Sequence, residues 1–221
     1  MFSSPFPEQI AFSCQPTDPP SITPPHPEEE ILVREITSES RKQQFLAGRS
    51  CARTALSRFG LGEQPVLRNS KTREPIWPDG YFGTITHTGD WAAAAVVRKR
   101  EFQGIGIDLE SLERKVDPNI RRHVCVAEEL QWLESLETNQ AEKALKLLFS
   151  AKESIFKAYF PSTRIYLHFH DALILLNSKW NLFEYQLLNK NMKSFPGTLR
   201  GEGQIQIKNS LLLTSLFFLI N

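Results

Sequence analysis

A chain of 221 residues, 41% hydrophobic and 23% charged, is long enough to bury a substantial core, and its formal net charge of +1 offers no global field to recruit nucleic acid or an acidic membrane. Its three cysteines, Cys14, Cys51 and Cys125, are far apart and without a C-x-x-C pair, which argues against a disulfide framework or a zinc site and fits a reducing cytoplasm. The N-terminus lacks a basic segment followed by an apolar one, and the longest apolar run, Leu211 to Ile220, is about half of a membrane span, so the expectation is a soluble, unexported protein with no membrane span.

Residues 1–27 hold eight of the fourteen prolines, among them Pro19-Pro20 and Pro24-Pro25, which rules out a long helix or a central strand and predicts an irregular, extended arm. Ile31-Leu32-Val33 reads as a short strand. Ser38 and Ser40 then offer N-caps for a helix that runs through Phe59 and stops at Gly60 and Gly62. On that helix Phe45, Ala52, Leu56 and Phe59 form one apolar stripe, with Arg49 and Arg53 between the stripe and Leu46. Arginines at the edge of an apolar face need anions. Core-edge acids in structural salt bridges and a phosphate gripped by guanidinium forks fit about equally well.

Residues 65–80 are rich in Pro, Asn, Lys and Arg and read as a basic binding loop ending in Arg73-Glu74-Pro75-Ile76-Trp77-Pro78-Asp79-Gly80. A strand from Tyr81 to His87 breaks at Thr88-Gly89-Asp90. The run from Trp91 to Val97 contains four alanines, which favour helix, yet a short segment between two turns suits the central strand of a meander better. His87, before the glycine turn, reads on its own as a structural histidine, with phosphate binding as the alternative.

In Gly104-Ile105-Gly106-Ile107-Asp108-Leu109-Glu110, strand alternation puts Ile105, Ile107 and Leu109 on a core face and the glycines, Asp108 and Glu110 on the other. Carboxylates two strand positions apart, roughly 6.6 Å at about 3.3 Å per residue, repel unless a cation lies between them. Mg²⁺ suits such a pair because it takes hard oxygen ligands and shares its shell with substrate phosphates. The glycines would leave room for a ligand to approach the backbone. Beyond Glu110, short helices are expected from Asp117-Pro118 and over Ala127 to Leu133, and a long helix over residues 141–160 ended by Pro161. In the long helix Lys152 falls within a stripe of Leu145, Leu148, Phe149, Phe156, Tyr159 and Phe160, where an unpaired ammonium would be costly, so it is expected to reach a carboxylate. Glu153 and Lys157 are spaced as a helix-surface pair. Strands are expected at about 165–176, 180–188, 204–208 and 211–219.

Five blocks together carry a resemblance: Gly48-Arg49-Ser50-Cys51-Ala52-Arg53-Thr54-Ala55-Leu56, Arg73-Glu74-Pro75-Ile76-Trp77-Pro78, Thr84-Ile85-Thr86-His87-Thr88, Gly106-Ile107-Asp108-Leu109-Glu110 and Phe149-Ser150-Ala151-Lys152-Glu153-Ser154-Ile155-Phe156-Lys157. The sequence resembles the 4'-phosphopantetheinyl transferases, in the Sfp-type branch and nearest its enterobactin-synthetase component D group, over about residues 45–160. Thr86 stands where serine is common and Leu109 where isoleucine is usual.

The resemblance implies an α+β fold of two pseudo-twofold-related halves with the active site in the cleft between them: an arm over 1–27, a half over 28–110 and a half over 111–221. It implies transfer of the phosphopantetheine arm from coenzyme A to a serine of an apo acyl or peptidyl carrier protein, with release of adenosine 3',5'-bisphosphate. It also implies Mg²⁺ held by Asp108, Glu110 and Glu153, and Lys157 on the pyrophosphate as proton donor to the leaving phosphate. Thr86, His87 and Arg49 or Arg53 are implied on coenzyme A phosphates, with Arg73 near the nucleotide. The base for the serine is left open between Glu153, directly or through a water on the metal, and Glu129. A cytoplasmic monomer is expected. A metal-dependent nuclease would share the acids and the lysine, but the near-neutral charge opposes it; a module that binds without turnover is opposed by the retention of all three acids.

Overall fold

The computed structural model describes residues 2–18, 22–115, 117–188 and 199–220; Pro19-Pro20 of the expected arm lies outside the described residues. The chain forms an α+β fold in which two antiparallel sheets are each covered by one long helix. The first sheet has the order β1 (Ala11–Pro16), β5 (Trp91–Arg98), β4 (Tyr81–Thr88). Its helix α2 (Glu39–Ser57) starts where expected, with the Ser38 hydroxyl accepting from the Arg41 amide. The alanine run is strand β5, and both its faces are buried: Ala92, Ala94 and Val96 pack with Cys51, Ala52, Ala55 and Leu56 of α2, while Ala93, Ala95 and Val97 face the other way.

Two expectations for the N-terminal region are corrected. The proline arm contains β1, an edge strand paired along its whole length with β5; it ends at Pro16, and an edge needs amides on one side only. Ile31-Leu32-Val33 lies in helix α1 (Pro27–Arg34) rather than in a strand. His26 caps it, Pro27 fills its first turn and Glu28, Glu29 and Glu30 meet the positive end of its dipole, so the N-terminal signals outweigh three apolar residues. The basic loop carries a small hairpin, β2 (Leu67–Arg68) with β3 (Pro75–Ile76).

Strand β6 (Phe102–Ser111) belongs to the second sheet, whose order is β6, β10 (Leu211–Leu219), β9 (Arg200–Lys208), β8 (Leu182–Leu187), β7 (Ala172–Leu176). Its Ile105, Ile107 and Leu109 join Ala93, Ala95, Val97 and Leu213 in a core between the two sheets. Threonine hydroxyls of β4 stitch the sheets together: Thr86 Oγ1 accepts from the Leu109 amide at 3.0 Å and Thr84 Oγ1 from the Ile107 amide at 3.5 Å. β5 is therefore central between β1 and β4, and β6 does not continue its meander.

The short helices α3 (Arg121–Val124) and α4 (Ala127–Glu134) precede the long α5 (Thr138–Thr163), which packs on β6 and β10. α5 runs through Pro161 instead of ending there. The ring removes an amide only in the last turn, where the Ser162 and Thr163 hydroxyls bond the Tyr159 carbonyl at 3.2 and 2.9 Å and Arg164 closes the helix in the left-handed region. Among the described residues no helix is long and apolar enough to cross a membrane.

Candidate active site

The glycines of β6 receive a helix, not a ligand. A Cβ on Gly106 would lie 1.8 Å from the Ser154 carbonyl oxygen, and one on Gly104 would lie 2.2 Å from that of Ala158, so α5 can cross β6 at this distance only because both side chains are missing. The crossing puts the residues beside Ser154 and Ala158 next to the acids of β6. Lys157 Nζ donates to Asp108 Oδ1 at 2.6 Å, and Thr86 Oγ1 donates to the same oxygen at 3.2 Å. Asp108 is 4% exposed, and among the described residues its Oδ2 has no hydrogen-bond partner.

Glu110 and Glu153 flank this carboxylate and open into different spaces. Glu110 lines a cavity of about 240 Å³ with Arg114, Lys115, Asp117 and Lys146 over a floor of Ile120, Val124, Leu145 and Phe149. Glu153 lines one of about 510 Å³ walled by Phe156, Tyr166, Phe169 and three histidines. Burial first, and the Asp108 charge second, push Glu110 up to about 7; burial also raises Glu153. Burial works against the Lys157 ammonium, yet Asp108, Glu153 and Glu110 together hold its pKa above the ordinary lysine value. At His87, which is exposed at the end of β4, desolvation and then the Lys157 charge lower the pKa.

Family models match along most of the chain: that of the 4'-phosphopantetheinyl transferase N-terminal domain over residues 28–97, and that of the 4'-phosphopantetheinyl transferase superfamily over residues 104–203. The 4'-phosphopantetheinyl transferase Npt of Nocardia iowensis is 34% identical over 203 residues, 87% of this chain and 89% of its own. The chain belongs to the 4'-phosphopantetheinyl transferase family. The transferase PptT of Mycobacterium tuberculosis is 31% identical over 217 residues, 95% of this chain and 92% of its own. Enterobactin synthase component D of Salmonella typhi is 35% identical over 120 residues, 54% of this chain and 48% of its own.

The two arginines of this transferase separate. Arg53 pairs with the fully buried Glu29, and its other Nη donates to the Thr23 carbonyl and hydroxyl and to the Pro24 carbonyl at 3.2, 3.0 and 2.7 Å. Arg53 thus ties α1, α2 and the arm together, the salt bridge to an acid that the sequence left open beside a phosphate. Arg49 is 4% exposed, yet among the described residues it donates only from Nη2 to the Leu67 carbonyl at 3.2 Å, stacks 4.6 Å over Phe45 and leaves Nε without a partner. Burial lowers its pKa to about 10 and leaves it charged at neutral pH. A buried guanidinium so short of acceptors suits an anion. Arg73 sits exposed at a left-handed turn position of the basic hairpin, φ 63°.

Glu129, the other candidate base, is held by three donors. Its Oε2 accepts from Lys152 Nζ at 2.6 Å and the Val126 amide at 2.9 Å, its Oε1 accepts from the Ile174 amide at 2.8 Å, and it is buried. The carboxylate expected for Lys152 is therefore Glu129. Thr86 is also buried, with its hydroxyl on Asp108 and the Leu109 amide of β6. Lys157 takes Asp108 and not Glu153 as its partner; helical spacing in the sequence made Glu153 the visible one, because the crossing of α5 over β6 has no local signal.

Among the described residues no three Asp, Glu, His or Cys side chains converge closely enough to hold a metal ion as they stand. The donor set still fits Mg²⁺ chemically. Asp108 offers a buried, unpartnered oxygen, and the two glutamates sharing its field have carboxyl pKa values raised in the absence of any dication.

Proposed function

We propose that this transferase moves the 4'-phosphopantetheine arm of coenzyme A onto a serine of an apo acyl or peptidyl carrier protein in a Mg²⁺-dependent reaction that releases adenosine 3',5'-bisphosphate. The observation that carries the reading is the buried, unpartnered Asp108 Oδ2 beside the Lys157 ammonium, with Glu110 and Glu153 in the same field. Asp108, Glu110 and Glu153 would hold the metal. When bound, Mg²⁺ neutralises charge developing on the pyrophosphate oxygens.

The chain's own residues supply the remaining steps. The serine oxygen forms a bond to the phosphorus that carries the pantetheine arm, and the bond from that phosphorus to the bridging oxygen breaks toward the adenosine 5'-phosphate. Serine is a poor nucleophile at neutral pH and must lose its proton to a base. Glu153, which opens into the larger cavity, serves as that base. Lys157, kept charged by three carboxylates, faces the leaving phosphate and stabilises or protonates it. Arg49, His87 and Arg73 hold the coenzyme A phosphates, Arg49 being the one buried with donors to spare.

We place this reaction in a cytoplasmic monomer, and in siderophore or other secondary-metabolite synthesis, the latter supported by the likeness to enterobactin synthase component D. The test is intact-mass analysis of an apo carrier incubated with coenzyme A, Mg²⁺ and the protein. A gain of one phosphopantetheine arm that disappears when coenzyme A or Mg²⁺ is left out is expected. An unchanged carrier mass across acyl and peptidyl carriers would overturn the proposal.

A further inference from the structure

We infer that Thr86 is a positioning residue for the acid site: its hydroxyl aims the Asp108 carboxylate so that Oδ2 is presented to the cleft. The inference rests on the proposed reading of that cleft as a metal and pyrophosphate site. Asp108 Oδ1 receives two donors from opposite sides, Lys157 Nζ of α5 at 2.6 Å and Thr86 Oγ1 of β4 at 3.2 Å, while Oδ2 is buried and receives none. The two donors do different things. Lysine brings the charge, on a stem with four rotatable bonds, and so fixes direction poorly.

Threonine brings the direction. Its branched Cβ is stiff in χ1, and its backbone lies in the middle of a strand whose partner β5 is paired through the whole length of β4. The oxygen is tied a second time, because it accepts the Leu109 amide at 3.0 Å, from the residue that follows Asp108. With that lone pair used, the hydroxyl proton is directed to Oδ1. One buried group therefore fixes both the backbone just after Asp108 and the torsion of its carboxylate. Outer partners of this kind orient metal-ligating oxygens and typically change metal affinity by about 10–100-fold when removed.

Thr84 provides an internal control. It lies two residues earlier on the same face of β4, is buried, and accepts the Ile107 amide at 3.5 Å, but touches no acid. Thr84→Val and Thr86→Val each take one acceptor from β6 and differ in whether a carboxylate loses its donor.

The experiment measures Mn²⁺ binding by electron paramagnetic resonance on the full chain in the presence of coenzyme A, with Tm recorded for each variant. Thr86→Val is expected to weaken Mn²⁺ about tenfold or more and Thr86→Ser to keep it within about threefold, while Thr84→Val lowers Tm as much as Thr86→Val and leaves Mn²⁺ affinity within about twofold. In turnover, Thr86→Val should lower kcat with little change in KM for coenzyme A. Unchanged Mn²⁺ affinity in Thr86→Val, or an equal loss in Thr84→Val, would overturn the positioning role while leaving transfer itself intact in the mass assay. Absence of Mn²⁺ binding to the wild-type protein with coenzyme A would overturn the metal reading of the cleft and this inference with it.

Discussion

Lys152 Nζ lies 2.6 Å from Glu129 Oε2, with the two side chains only 2% and 1% exposed. The pair links α5 to the start of α4, and through Glu129 Oε1 to the Ile174 amide of β7. Burial alone lowers the Lys152 pKa, and Glu129 opposes that shift. Removing one partner of such a pair strands a buried charge, at a cost of about 3–5 kcal/mol.

Lys152→Ala is therefore expected to lose about that much in chemical denaturation, and Lys152→Met combined with Glu129→Gln to recover part of it, because the double variant buries no charge. Near-native stability of Lys152→Ala would show that the pair is not what holds α4 to α5.

Asp108 and Glu153 should behave in the opposite way. Asp108→Ala frees Lys157, which at 24% exposed can take up water in compensation, so the fold should stay intact by circular dichroism. Transfer should fall by about a hundredfold or more, since the loss is of groups that act on charge developing in the transition state, and Glu153→Ala should match it. Near-native turnover of either variant at saturating Mg²⁺ would remove that carboxylate from the site.

How much of this was legible in the letters depends on whether the cause was local. The Ser38 cap and the apolar stripe disclosed α2, the breaks on either side of Trp91 to Val97 disclosed a strand despite its alanines, and the cost of an unpaired ammonium foretold a partner for Lys152. What failed was set by contacts distant in sequence. The acid that Arg53 meets, Glu29, lies 24 residues earlier on α1, where Ile31-Leu32-Val33 reads as a strand, so the letters do not name it. The glycines of β6 looked like space for a ligand because a helix that crosses them some fifty residues later leaves no local trace. The letters carry Asp108 on a strand and Lys157 on a helix, but not the hydrogen bonds that join Asp108 to Lys157 and Thr86.

The separation of the two arginines is testable on coenzyme A. Arg53→Ala strands the Glu29 carboxylate and is expected to cost about 3–5 kcal/mol of stability, with KM for coenzyme A unchanged in whatever remains folded. Arg49→Ala should instead raise KM for coenzyme A about tenfold or more while Tm holds, because Arg49 has one carbonyl partner to lose and a phosphate to bind. The reverse pattern would put Arg53 on the nucleotide after all.

Glu110 predicts a pH dependence of the metal-free protein. Its folded pKa, about 7, lies above the ordinary 4.5, so between these values the folded state keeps a proton that the unfolded state releases, and stability falls as pH rises through that window. At about 1.4 kcal/mol per unit the loss is at most about 3.5 kcal/mol. His87, with a lowered pKa, acts in the other direction below its ordinary 6.5, so the informative quantity is a difference between variants. Glu110→Gln should match the wild-type Tm at pH 5 and exceed it at pH 8 in the absence of divalent cations. An equal offset at both values would contradict the raised pKa.

In the proposed reaction the carrier must bring its serine to the acids, and a net charge of +1 leaves only local surface for docking. Arg121 and Arg122 are exposed on α3, and Lys115 is exposed at the rim of the cavity that Glu110 lines, above a floor of Ile120, Val124, Leu145 and Phe149. A basic rim around an apolar floor matches an acidic helix with an apolar side chain on its inner face. Its position beside Glu110 keeps the incoming segment close to the acids. Reversing Arg121 and Arg122 to Glu should raise KM for the carrier about tenfold with KM for coenzyme A little changed, and should flatten the dependence of the reaction on salt, because the attraction that salt screens has been removed. A carrier KM that stays put under this reversal would move docking away from α3.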